Sequence, residues 1–197
     1  LRSREIGSFF GLNIPMALQL HFTGLNLAKL KGVTRGDLVE AINFFLDKLI
    51  SKRMKNSLSL FIKFNDKMPN DGDCIYLDDL NRPKQFEINI KVNSATTYRN
   101  FMRSIAHELV HVKQWCTGEM RDYVQPGIAG QVLWRKEKYD ISKLDYWFFP
   151  WEIEAHGLEV GLYTHFRRYK RNQKNKKTSN NSTPVRNSHT TSLRTNN

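Results

Sequence analysis

Acidic residues stop at Glu159 in this 197-residue chain. All 19 Asp and Glu lie at or before that position, while nine of the 31 Lys and Arg lie from Arg167 onward, so residues 1–166 carry 22 bases against 19 acids. The net charge of +12 therefore belongs mostly to a tail, and a near-neutral body need not be a phosphate binder. Long apolar runs are missing too. Nothing approaches the ~20 consecutive apolar residues of a membrane-spanning helix, which predicts no membrane span. The apolar stretch Phe9–Leu20 is broken by Asn13, Pro15 and Gln19 and lacks a small-residue cleavage site, so it makes a poor signal peptide. Cysteine is scarce. Cys74 and Cys116 have no CxxC partner, which argues against a disulfide framework and for two reduced structural thiols.

What remains is enough for one core: 40% hydrophobic and 12% aromatic residues over a length suited to a single domain with appendages. Residues 1–33, interrupted by Gly7, Gly11, Pro15, Gly24 and Gly32, suggest no regular structure. Residues 34–170 read as the folded domain. Leu38, Ile42, Phe45 and Leu49 recur at helical spacing between Asp37 and Lys52, with Thr34 or Asp37 as cap. Ser57–Phe64, Cys74–Leu77 and Gln85–Val92 read as strands, the last alternating strictly through Phe86, Ile88, Ile90 and Val92. Together they predict a small, mostly antiparallel sheet in an α+β fold. A long helix follows from about Thr97 to Trp115, and Pro150 opens a last one running to about Tyr169. Residues 171–197, rich in Asn, Ser, Thr, Lys and Arg, are expected to be a disordered basic tail, with weak binding of an anionic partner such as nucleic acid as its one evident use.

One string carries chemistry: His107-Glu108-Leu109-Val110-His111. On a helix, residues four apart share a face, so both imidazoles can reach one ion. Glu108 is turned by ~100° and can reach a water on that ion without ligating it. Two neutral nitrogen ligands, an open position and a carboxylate to take the water's proton are what metal-assisted hydrolysis requires. Phe101, Ile105, Leu109, Val112 and Cys116 form an apolar stripe that would seat the motif on a rigid helix.

A zinc site of this kind needs a third ligand, and Trp151–Glu159 offers Glu152, Glu154, His156 and Glu159. Glu154 shares a stripe with Trp151, Leu158 and Leu162, whereas Glu152 shares a more polar one with His156, Glu159 and Tyr163. A carboxylate on the buried face is costly unless it is paired or coordinates a metal, which favours Glu154 as the ligand, with His156 and Glu152 as the main alternatives and a plain salt bridge as the remaining one.

HELVH on a helix, an upstream alternating strand and a downstream helix carrying Glu-Ala resemble the zincin metallopeptidases of gluzincin type. The PWEIEA run, Pro150–Ala155, is similar to that of small metallopeptidases encoded by phages and bacteria. The resemblance covers about residues 57–170. It implies Zn2+ held by His107, His111 and Glu154, Glu108 as general base, a protein or peptide substrate, and Gln85–Val92 as the sheet edge along which the substrate pairs. It also implies a cytoplasmic setting in a bacterial or phage-infected cell, or association with a virion. The departures are specific. Leu158 stands where thermolysin-like members carry an Asp supporting a ligand histidine, so the outer partners are unassigned. Tyr123, Tyr146, His156, Tyr163 and His165 are all open as the group facing the substrate carbonyl. Other readings are a nucleic-acid- or virion-associated binding protein with a structural zinc, an inactive scaffold, and a cell-wall amidase or endopeptidase using the same zinc chemistry.

Overall fold

The computed structural model describes residues 17–24, 33–123 and 130–181. They form a mixed α+β body. Its main sheet contains β1 (Gln19–Thr23), β2 (Ser59–Asn65), β3 (Gly72–Tyr76) and β4 (Gln85–Lys91), in the order β1-β2-β4-β3. β1 runs parallel to β2 and β2 parallel to β4, and β3 alone of the four is antiparallel to its neighbour.

The expectation of a mostly antiparallel sheet is thereby corrected. Alternation reports one buried and one wetter face, and it persists in parallel strands when helices cover one side only. Here Leu60, Ile62 and Phe64 of β2 and Phe86, Ile88 and Ile90 of β4 point into the core. On the other face Lys63 and Glu87 pair at 2.6 Å. The expected edge is corrected as well: β4 lies inside the sheet, and β1 and β3 are its edges. β1 falls within residues 1–33, where no regular structure was expected, and it owes its order to a ladder with β2 that local spacing cannot reveal. Residues 1–16 and 25–32 of that segment lie outside the described residues.

Helices supply the cover. α1 (Arg35–Leu49) opens with a capping box, Asp37 N–H donating to Thr34 Oγ1 and Thr34 N–H to Asp37 Oδ2. The short α2 (Lys52–Lys55) turns the chain into β2. α3 (Tyr98–Thr117) packs on α1, β3 and β4. It ends at Gly118, whose φ of 77° is left-handed and favours glycine. Beyond it, β5 (Met120–Asp122), β6 (Gln131–Trp134) and β7 (Glu137–Asp140) form a small antiparallel sheet. Residues 124–129, within the β5–β6 connection, are not among those described.

A 3-10 turn at Tyr146–Phe148 leads into α4 (Pro150–Asn181), with proline at the first position as expected. α4 is fastened at two places. Trp151 joins Val132 and Trp134 in a buried cluster against the small sheet, and Phe166 sets its ring at a steep angle against Phe44 and Phe45 of α1. The body ends at Phe166, and a second unit begins at Arg167. Residues 171–181, expected to be disordered, continue α4 as helix, while 182–197 lie outside the described residues.

Phe86 has 0% exposure on an interior strand, whereas Ile75 on the edge strand is 52% exposed. Phe86→Ala should therefore cost about 3–5 kcal/mol in urea denaturation, and Ile75→Ala no more than about 0.5 kcal/mol.

Candidate metal centre

The histidine motif lies at the middle of α3, on the side facing the first turns of α4. His107 Nε2 and His111 Nε2 approach to 3.1 Å. The carboxylate of Glu152 completes a triangle, with Oε2 3.4 Å from His107 Nε2 and Oε1 3.4 Å from His111 Nε2. Tyr146 O–H donates to Glu152 Oε2 at 2.6 Å.

The outer partners determine which ring atom is available. His107 Nδ1–H donates to Glu159 Oε2 at 3.0 Å, and Arg103 holds that carboxylate in turn. His111 Nδ1–H donates to Gln114 Oε1 at 2.8 Å. The amide of Gln114 can be oriented only one way, because its Nε2 donates to the Trp151 carbonyl at 2.9 Å and to Glu154 Oε2 at 3.0 Å, both pure acceptors. With each Nδ1 carrying a proton, each neutral ring aims an Nε2 lone pair at the same point.

Converging donors of this kind repel one another in buried space unless positive charge lies between them. Protons can supply part of it. Burial by itself lowers the pKa of His107, but hydrogen bonds to Glu152 and Glu159 override it and lift the ring to about 9. His111 is also raised, burial again being outweighed by Glu152 and the nearby Glu108 charge. Burial opposes ionisation of Glu152, yet both histidines hold its carboxyl well below the usual range. A divalent ion suits the same point. Ligands 2.0–2.1 Å from a tetrahedral ion stand about 3.3 Å apart; the two histidine nitrogens are 3.1 Å apart, and each lies 3.4 Å from a different oxygen of the Glu152 carboxylate. Two imidazoles and a carboxylate could hold zinc or a similar borderline metal.

His156 comes in from the next turn of α4. Its ligand atom lies within 4.8 Å of those of His107 and Glu152, a looser group than the triangle, and its ring stacks on Trp147. His156 Nε2 is enclosed without a hydrogen-bond partner.

Glu154, expected as the third ligand, lies outside the triangle. Its carboxylate receives Lys113 Nζ at 3.1 Å, Arg135 Nη2 at 2.5 Å and the Gln114 amide. The difference from the expected stripe is one of helical phase. Trp151 and Leu162 of that stripe are buried but Leu158 is exposed, and the inward face takes in Glu152, Ala155 and Glu159 instead. Two carboxylates seven residues apart with His156 between them were the available signal. Glu154 still reaches the centre indirectly, since it orients the glutamine that orients His111.

Glu108 is buried beside the triangle. Burial pushes its carboxyl up to about 7, against the opposing pull of His111 and His107. Its carboxylate lies so close to β3 that a Cβ at Gly72 would come within 2.5 Å of Oε1. An open cleft of about 720 Å3 meets the site here, with Asn70, Asp71 and Gly72 on one wall and Tyr146, Trp147 and His156 on the other. Of the remaining residues open as carbonyl-facing groups, Tyr123 accepts from Lys138 in the small sheet, Tyr163 is buried in the body and His165 is exposed.

No family model matches this chain, and no curated protein or solved structure matches it either. Among the described residues, no helix is long and apolar enough to cross a membrane.

Gln114 has no exposed surface and bonds to α4 and His111 at once. Gln114→Ala should cost about 2–4 kcal/mol in chemical denaturation, because it strands a buried carbonyl and an imidazole N–H. A loss below about 1 kcal/mol would show that the bridge contributes little.

Proposed function

We propose that the chain is a zinc-dependent peptidase of zincin-like architecture, with the metal held by His107, His111 and Glu152. The observation that carries this reading is the convergence of two tautomer-fixed imidazole nitrogens and a carboxylate at 3.1–3.4 Å, beside a buried glutamate at an open cleft. A purely structural zinc is normally closed by four protein ligands and has no use for an adjacent base.

Bound at this point, zinc would lower the pKa of a coordinated water and polarise an amide carbonyl. The remaining tasks belong to the chain. Glu108, with its carboxyl near 7, is matched to take a proton at neutral pH and return it to the leaving amine. Glu159 and Gln114 keep both rings in the productive tautomer. Tyr146 and His156 line the cleft, and the Tyr146 hydroxyl, once released from Glu152, would donate to the carbonyl oxygen as negative charge develops there. The exposed edge of β3 would pair with an extended substrate through main-chain hydrogen bonds, which makes the substrate a protein or peptide.

Metal content by plasma mass spectrometry tests the ligand set. Wild-type protein and Glu154→Ala should each retain about one zinc per chain after dialysis, as a three-ligand site with an open position requires. Glu152→Ala should lose it. Retention in Glu152→Ala with loss in Glu154→Ala would overturn the assignment.

Hydrolysis of a peptide mixture, followed by mass spectrometry, tests the chemistry. Glu108→Gln should keep zinc and lose about 100- to 10,000-fold in rate. Gly72→Ala should also keep zinc and lose activity, since the new methyl must displace the Glu108 carboxylate. Undiminished turnover in Glu108→Gln would rule out the general-base role.

A further inference from the structure

We propose that the C-terminal continuation of α4 binds the phosphate backbone of nucleic acid, independently of the metal centre. The segment belongs to the second unit, from Arg167 onward, and is helical to Asn181. That helix changes the meaning of its charges. Arg167, Lys170, Arg171, Lys174 and Lys177 stand at i, i+3, i+4, i+7 and i+10. At ~100° and ~1.5 Å per residue they share a sector of about 120° and a stripe about 15 Å long. Arg168 and Lys176 fall outside the sector.

Two features distinguish this from an ordinary solvated helix. An exposed helix is commonly steadied by acids placed three or four residues from its bases, but no acid occurs anywhere after Glu159. Like charges at those spacings work against the helix, and a polyanion along the stripe would relieve the repulsion. The rest of the surface excludes the other common polyanion. A helix that lies on a membrane needs an apolar face, whereas residues 167–178 offer one aromatic, Tyr169, among Asn172, Gln173, Asn175 and Thr178. A row of cations without a greasy side suits phosphates presented at regular intervals along a strand.

The test is fluorescence anisotropy of the full chain with a labelled DNA oligonucleotide, single-stranded and duplex, over a salt series. Three neutralised phosphates, at Arg171, Lys174 and Lys177, predict log–log salt slopes of about −2.1 for single strand and −2.7 for duplex, or a loss of about 20- to 40-fold in affinity between about 50 and 200 mM salt. The Arg171→Gln/Lys174→Gln double variant should weaken binding at least about tenfold and make the slope shallower by about 2. Arg168→Gln/Lys176→Gln removes the same charge off the stripe and should change affinity less than about threefold. Circular dichroism confirms retained helix in both. Equal losses in the two doubles would overturn the proposal in favour of undirected net charge. Binding to phosphatidylserine vesicles without binding to DNA would overturn it in favour of a membrane surface.

Discussion

Two imidazole lone pairs and a carboxylate that meet at one buried point need positive charge between them. Without it, groups withdrawn from water would repel one another. Every neighbouring feature answers this. Glu159 and Gln114 occupy the outer ring nitrogens, Tyr146 donates to the carboxylate, and Arg103 and Lys113 hold the acids behind them. The centre is a stack of charge-compensating layers, with the open point at its focus suited to a divalent ion.

That arrangement requires α3 and α4 to keep their relative position. The small β5–β7 sheet contributes to this from outside the main core. Its Val132 and Trp134 grip Trp151, whose carbonyl is bonded to Gln114, and Glu152 is the next residue. Arg135, in the left-handed turn between β6 and β7, reaches Glu119 at the end of α3 and Glu154 on α4. At the far end Phe166 seats α4 on α1. The opposite wall of the cleft carries Asn70, Asp71 and Gly72. β3 comes so near Glu108 that a Cβ at position 72 would push its carboxylate aside.

Much of this was legible from local pattern, and the parts that were not share a cause. The α3 motif, the β2 and β4 alternation, the Thr34 cap and Pro150 at the head of α4 each depend on spacing within one element. The sheet order does not, because alternating residues say which face is buried and nothing about the neighbour's direction. The β6–β7 hairpin turns on Arg135-Lys136, without the Asn-Gly pair that normally marks such a turn. Residues 171–181 lacked apolar content and so read as disordered, yet α4 was already nucleated and anchored upstream, and extending a helix is far easier than starting one.

Glu152 and Glu154 show the boundary most clearly. By itself the sequence determined that a helix presents two histidines one turn apart with a glutamate beside them, since that follows from 3.6 residues per turn. It also narrowed the group that faces the histidines to a few residues after Pro150. Which of them meets the histidines depended on the phase of α4 against α3, and that phase is set by contacts between Trp151 and the small sheet and between Phe166 and α1. Hydrophobicity along α4 left it ambiguous, because the inward face mixes Trp151, Ala155 and Leu162 with Glu152 and Glu159, carboxylates whose burial is compensated by residues far away in the chain. Local chemistry named the candidates, and long-range packing chose among them.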